Sequence, residues 1–312
     1  MSEAHDWPPS CAIETLHARA AALAATRAFF AERGVLEVNT PVLASHTVLD
    51  PAIESIAVGG RYLQTSPEYH MKRLLAAGAP SIYQLGPVFR QGEQGRWHNP
   101  EFLMLEWYRL DFDANRLMLE VEELVDCLLS PAPYLCIPYR QLLADRFDID
   151  IDTASVDDLA DICAQLGYKA SSTSRTEEAL DLMLAAALAD RGEGRVFVTE
   201  YPPDQAALAR VNASKRRPHA ERFELVINGV EIANGYHELA DPDELAQRMA
   251  ADTEKRRASG LCVPKPDERL LAAQRHGLPN CAGVALGFDR LLALKLGTDG
   301  ISPVLAFDWN RA

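Results

Sequence analysis

The sequence is expected to fold as α+β, an antiparallel β-sheet flanked by helices. Three observations predict this. Strand-like apolar runs come in pairs joined by turn residues, as at Gly59-Gly60 and Asn228-Gly229. Helical patterns stand apart from these runs instead of alternating with them one for one. Neither G-x-G-x-x-G nor G-x-x-x-x-G-K-[ST] occurs, so the usual nucleotide sites of parallel sheets lack a sequence basis.

Taken in order, Ile13 to Arg33 is an Ala-rich helix. Leu16, Ala20, Leu23 and Phe30 keep helical spacing, and Gly34 supplies a C-terminal stop. Val35 to Val38 is a short strand ended by Thr40-Pro41. Ser55 to Val58 and Arg61 to Gln64 pair about Gly59-Gly60. Pro67 to Ala77 is a helix with proline in its first turn. The runs S-I-Y-Q-L-G-P-V-F-R and E-F-L-M-L-E-W-Y-R are strands on either side of a charged loop, and a helix follows from about Asn115 to Leu129. Residues from about 150 to 192 are acidic and rich in Ala and Leu, with helices at Val156 to Leu166 and Glu177 to Asp190. They read as a helical insertion in one domain spanning 1–312. Strands resume at Arg195 to Glu200, Glu221 to Ile227 and Val230 to Ala233. A helix from Asp243 to Ala258 precedes the last strand, which turns into a helix at Phe288.

With 312 residues, 48% of them hydrophobic, the chain can bury a large core. Its net charge of −14 disfavours a broad nucleic-acid grip. Lys215-Arg216-Arg217, with Arg210 and His219 nearby, is the only dense basic run, and a solvated loop accounts for it better than a nucleic-acid groove. The six cysteines lack metal-ligand or C-x-x-C spacing and are expected as free thiols in a reducing cytoplasm. No apolar run reaches membrane-spanning length.

The loop F-R-Q-G-E-Q-G-R-W-H-N-P-E-F, Phe89 to Phe102, is longer and more charged than a hairpin needs. Arginines flanking glycines suit a polyphosphate. In G-V-A-L-G-F-D-R, Arg290 falls in a helix's first turn, where the dipole disfavours a cation. A bound anion or an ion pair would account for it. Glu106 and Tyr108, two residues apart on a strand, share a face. Glu231 and Glu238 are seven apart, so meeting one ion requires a bulge, for which Asn234-Gly235 is the expected place. Otherwise they are solvent-facing glutamates on an edge strand.

Five blocks resemble the class II aminoacyl-tRNA synthetases, and within them the lysyl branch. R-G-V-L-E-V-N-T-P-V-L resembles motif 1, and S-P-E-Y-H-M-K-R-L the substrate-amine segment. R-W-H-N-P-E-F-L-M-L-E-W-Y resembles the motif 2 loop and exit strand, and E-I-A-N-G-Y-H-E-L the metal-binding strand. G-V-A-L-G-F-D-R-L-L-A-L resembles motif 3.

The resemblance implies ATP and Mg²⁺. Arg90 would hold the α-phosphate, and Arg290 would lie over adenine and the γ-phosphate; these two are the expected catalytic residues. Phe102 would stack on the other face of adenine. Arg96 and His98 would reach the β- and γ-phosphates, with Asn99, Gln91, Gly92, Ile232 and Gly287 completing the nucleotide site. Glu231 and Glu238 would bind the metal. Ser66, Pro67, Glu68, Glu106, Tyr108, Glu238 and Ala285 would form the amino-acid pocket, where carboxylates at two ends suit a diamino acid. Motif 1 implies a homodimer.

Two positions depart from the pattern. Gly92 stands where the family usually has glutamate, with Glu93 following. Ala285 stands where lysyl-tRNA synthetases generally have glycine. Only about a dozen residues precede the first helix, too few for the anticodon-binding barrel of lysyl-tRNA synthetases. The expectation is therefore the truncated branch that attaches (R)-β-lysine to a lysine of translation elongation factor P, with no tRNA and no membrane partner. A lysine:tRNA ligase without an anticodon domain is the alternative. A non-catalytic binding module is a third, disfavoured by the retention of Arg90, Arg290, Glu231 and Glu238. The basic loop Lys215 to Arg217 is a candidate docking element for an acidic acceptor.

Overall fold

The computed structural model describes residues 7–168, 176–213 and 217–312. In chain order the elements begin with α1 (Ile13–Glu32), β1 (Leu36–Glu37), β2 (Leu43–Ala44), β3 (Ala57–Val58) and β4 (Arg61–Leu63). Next are α2 (Glu68–Ala76), β5 (Ile82–Phe89), β6 (Glu101–Leu110) and α3 (Ala114–Leu128). Then come β7 (Tyr134–Pro138), α4 (Tyr139–Phe147), α5 (Val156–Gln165), α6 (Thr176–Arg191), β8 (Arg195–Tyr201) and β9 (Val211–Asn212). The rest are β10 (His219–Ile227), β11 (Val230–His237), α7 (Pro242–Ala258), α8 (Glu268–Gly277), β12 (Cys281–Gly287) and α9 (Phe288–Leu296). The chain divides into two compact units: Met1–Pro131 with Glu238–Ala312, and Ala132–His237.

In the first unit, neighbouring strands run β1–β5–β6–β12. β5, β6 and β12 are antiparallel, with Glu106 at the centre of the register, opposite Gln84 on one side and Ala285 on the other. β6 alternates strictly. Leu105 and Trp107 point to one face and are fully buried. There Phe30 of α1 stacks on Tyr83 at 4.4 Å, and Trp107 Nε1 donates to Glu120 of α3 at 3.0 Å. Arg33 and Arg109 lie 3.9 and 3.4 Å from Glu120, which offsets the burial that raises its carboxyl. With α1 and α3 covering that face, the even-numbered residues of β6 are left for the opposite one. A second sheet, β2–β4–β3, turns at Gly59-Gly60, where φ values of 56° and 76° favour glycine.

In the second unit, neighbours run β11–β10–β8–β7, with β9 on β10. The β10–β11 hairpin turns at Asn228-Gly229, both at positive φ. Leu142, Leu143, Leu159, Met183 and Leu188 of α4 to α6 pack with Val196 and Val198 of β8. The helices expected between about 150 and 192 thus supply one wall of this unit's core. α5 opens with a capping box between Ser155 and Asp158.

Both sheets match expectation in their antiparallel pairs, but two pairings are parallel: β1 with β5 and β7 with β8. β7, α4 and α8 were not anticipated. α4 begins directly after Pro138 and lasts nine residues, too short for a clear period. Cys11, Cys163 and Cys281 are buried free thiols; Cys127, Cys136 and Cys262 are exposed ones. Among the described residues, no helix is long and apolar enough to cross a membrane. Of the basic run, Lys215 and Arg216 lie outside the described residues, while Arg217 pairs with Asp150 at 2.7 Å.

Candidate active site

α2 and the open face of β6 build an acidic pocket in the first unit. Pro67 precedes α2 and Glu68 opens it, an acid in a first turn, where the dipole favours it. Ser66 Oγ accepts from the Glu68 N–H at 3.0 Å and donates to Glu106 Oε2 at 2.8 Å. Tyr108 Oη donates to Glu106 Oε1 at 2.8 Å. The shared face expected for Glu106 and Tyr108 is therefore real. Burial, and after it the Glu68 charge, push the Glu106 carboxyl up to about 8.

Glu238 joins this pocket. Its Oε2 lies 2.6 Å from Lys72 Nζ, which also sits 2.7 Å from Glu68 Oε1. Burial raises Glu238 to about 7, against the pull of Lys72. For Lys72, burial works against the charged form, but the carboxylates of Glu238 and Glu68 outweigh it and hold the group well above the usual lysine range. β12 forms the floor. A Cβ at Gly283 would lie 2.4 Å from the Tyr108 ring and 2.5 Å from Glu238 Oε1, so only glycine fits between them. Ala285, two residues on, shares that face and pairs with Glu106 in register.

The residues expected at the phosphates gather at the other end of β6. The Arg90 guanidinium lies 5.1 Å from the Phe102 ring centroid and 3.5 Å from Glu93. Arg90 Nε is buried with no hydrogen-bond partner. The Gln91 N–H donates to Glu54 O at 2.8 Å, and Gly92 adopts φ 77°, which glutamate would adopt only with strain. Gly95 and His98 close a tight bridge that puts Arg96 and Trp97 at its tip. From α9, Arg290 Nε donates to Trp97 O at 3.1 Å, and its Nη2 lies 2.8 Å from His98 Nε2. Gly287 stands just before α9.

The Asn99 side chain is committed to the fold. Its oxygen accepts from the Trp309 N–H at 2.9 Å and its nitrogen donates to Glu101 O at 2.6 Å.

Of the two residues expected at the metal, Glu238 also belongs to the acidic pocket through Lys72. Glu231 and Ile232 lie on β11, with Glu231 exposed and Ile232 buried. The bulge expected at Asn234-Gly235 falls instead at Ile232, because Leu225 faces Ala233 while Val226 faces Glu231. Gly235 answers a different need: a Cβ there would strike the Phe223 ring at 2.3 Å. The carboxylate neighbouring Glu231 is Glu224. Burial raises Glu224, Arg222 pulls it down, and the Glu231 charge raises it further. Glu224 accepts from Arg222 at 2.5 Å and Asn234 at 3.2 Å. Among the described residues, no three His, Cys, Asp or Glu side chains gather as a metal cage. Glu231 and Glu238 are oxygen donors of the kind Mg²⁺ takes, with waters and phosphates completing its shell.

Sequence reading missed Lys72, Glu224, Gly283, Asp289 and the C-terminal segment. Asp289 is buried, pairs with Arg19 at 2.5 Å and accepts from the Leu103 N–H at 2.7 Å, tying α9 to β6. The C-terminal segment holds the phosphate loop. The Ile301 N–H donates to Arg96 O at 2.9 Å, Gln94 donates to Asn310 at 2.8 Å, and Arg96 pairs with Asp299. The only available signal was for Lys72, four residues after Glu68 on one helix face.

Residues 9–311 match the family model of class II tRNA synthetases of the D, K and N type. The chain is 45% identical to a protein of Photorhabdus laumondii, and 44% identical to proteins of Yersinia enterocolitica and Edwardsiella ictaluri. All three are named elongation factor P--(R)-beta-lysine ligase, and each alignment covers the whole of both chains. With the acidic pocket on one stretch of β6 and the arginines at the other, this chain belongs to the class II tRNA synthetase family.

Proposed function

We propose that this chain is an ATP-dependent, AMP-forming ligase. It adenylates (R)-β-lysine and passes the β-lysyl group to the ε-amine of one lysine on translation elongation factor P. The observation that carries this reading is the set of buried Glu106 and Glu238 with half-buried Glu68 beside Tyr108, in the same unit as Arg90, Phe102 and Arg290. The names of the full-length relatives support the same acceptor and the same amino acid.

In the first step a substrate carboxylate oxygen attacks the α-phosphorus of ATP. The bond to the β-phosphate bridging oxygen breaks and pyrophosphate leaves. Arg90 holds the α-phosphate and stabilises the charge gathering there. Phe102 and Arg290 enclose the base, and Arg96 and His98 meet the outer phosphates. Glu106, Tyr108, Glu68 and Glu238 fix the amines and so aim the carboxylate. In the second step the acceptor lysine, entering neutral, attacks the acyl carbon; AMP departs and an amide forms. Glu231 and Glu238 would hold Mg²⁺, which would supply charge to offset the phosphates when bound.

Motif 1 supports a homodimer. Leu36, Val42, Leu43 and Val58 are 51, 37, 39 and 46% exposed, an apolar set suited to a self-complementary interface. The net charge of −14 favours a protein acceptor over tRNA.

The test is ATP–pyrophosphate exchange with α-lysine and both β-lysine enantiomers. Incubation with elongation factor P or tRNA and weighing of the products by mass spectrometry follows. A preference for (R)-β-lysine with a β-lysyl increment on the protein is expected. Efficient acylation of tRNA with none on the protein would overturn the reading.

A further inference from the structure

Among the described residues Lys72 is the one cation paired with the carboxylates of the acidic pocket, and the mechanism above gives it no part. Its residue is 3% exposed. A lysine buried that far without partners would lose its proton or unfold its surroundings. Here its Nζ reaches Glu68 Oε1 at 2.7 Å and Glu238 Oε2 at 2.6 Å. It thereby ties the first residue of α2 to the residue that follows β11, 166 positions apart from Lys72 in sequence. The third carboxylate, Glu106, meets no cation at close range among the described residues. Its hydrogen-bond donors are the hydroxyls of Ser66 and Tyr108, both at 2.8 Å. The pocket therefore contains three carboxylates and one ammonium. Two carboxylates are braced by a charge the protein supplies itself, and one is braced by neutral donors.

We propose that Lys72 is a positioning and specificity-determining residue. Its ammonium neutralises one of the three pocket carboxylates and fixes Glu68 and Glu238 in place, so that the remaining charge matches an amino acid bearing two ammonium groups. With all three carboxylates ionised, the set carries two net negative charges. A diamino acid balances them. An amino acid with a single amine leaves one buried carboxylate unmatched, a state that costs several kcal/mol. Without Lys72, Glu68 and Glu238 face each other's charge across an empty stem and have no reason to keep their positions. This proposal rests on the diamino-acid reading of the pocket.

The experiment is pyrophosphate exchange by the purified full chain as wild type, Lys72→Met and Lys72→Gln, varying β-lysine and ATP separately. Both variants are expected to raise KM for β-lysine by about tenfold or more, with KM for ATP within about twofold, because the arginines of the nucleotide end are untouched. Added ethylammonium should restore much of the lost affinity in Lys72→Met by refilling the vacated site, and leave the wild type unchanged. Lys72→Gln keeps a donor between the carboxylates while removing the charge, so it carries the test if Lys72→Met does not fold. Wild-type KM in a folded Lys72→Gln enzyme overturns the proposal, since hydrogen bonding alone would then suffice. An equal rise in both KM values with no response to ethylammonium also overturns it, marking Lys72 as a packing ion pair. Wild-type enzyme inactive with every diamino acid overturns the functional reading itself, and this proposal with it.

Discussion

The amine pocket and the phosphate loop lie at two ends of one strand yet recognise charge in opposite ways. Glu106 and Glu238 have side chains only 2% exposed, and their partners are side chains on rigid elements. Arg96 at the tip of the loop is 64% exposed at its side chain, and the loop is fixed by main-chain bonds to Glu54 and Ile301 and by the Asn99 side chain, which accepts from the Trp309 N–H. The difference teaches where each kind of specificity can reside. An ammonium in a dry site is judged by whether every buried charge is matched. A triphosphate carries enough charge to be held by arginines that remain partly in water.

The largest effect should come from breaking the loop end. Arg90→Ala removes the cation at the α-phosphate, and pyrophosphate exchange is expected to fall by about a hundredfold to a thousandfold or more. Melting temperature should hardly change, because Arg90 contributes little packing. Exchange at wild-type rates would remove Arg90 from the mechanism.

The next effect tests the pocket through pH. Glu106, raised to about 8 by burial, is protonated in the free enzyme at neutral pH. A raised folded value means that its contribution to stability is fully present below the usual carboxyl range, and is lost as pH rises through about 8. An arriving ammonium needs the ionised form. Affinity for the amino acid should therefore increase from pH 6 to about 8, with a proton released on binding. Glu106→Gln should abolish both that slope and the proton release, and raise KM on the order of tenfold to a hundredfold. Calorimetry in two buffers of different ionisation enthalpy measures the proton; an unchanged slope in the variant would place the titration elsewhere.

Two glycines sharpen the contrast further. Gly283→Ala puts a methyl against Tyr108 and Glu238. It should cost about 1–3 kcal/mol of amino-acid affinity, seen in KM for β-lysine with KM for ATP preserved. Gly300→Ala should do the converse more weakly. Gly300 sits at φ 103°, and a Cβ there would lie 2.3 Å from Arg96 O. The loop must shift, raising KM for ATP by about fivefold and leaving the amino-acid term alone. Equal effects of both glycines on both substrates would mean that the two ends are not independent.

What was legible in the sequence follows the reach of local rules. Glu106 and Tyr108 could be placed on one face because strand periodicity is fixed at two. Arg290 could be flagged because a cation opening a helix needs a reason. Lys72 could be seen beside Glu68, one turn away, but its tie to Glu238 exists only once α2 and the end of β11 are brought together. Glu224 escaped notice for a related reason: its charge meets that of Glu231 only across the hairpin turn at Asn228-Gly229. Asn99 was legible as a polar residue of the loop; that its side chain is spent on Trp309 and Glu101 was not.

The C-terminal anchors of the phosphate loop also set an order of events in time. Arg96 and Ile301, which share a hydrogen bond, are separated by 205 positions. At a synthesis rate of about 5–20 residues per second, the loop waits roughly 10 to 40 s for its anchor. The amine-binding helix and the motif 2 strands can form on the ribosome, but the loop acquires its supports only once the segment around Ile301 emerges. A nascent chain therefore carries the motif 2 loop well before it carries Glu238, Arg290 and the anchors of that loop, and the late segment completes both ends of the site together.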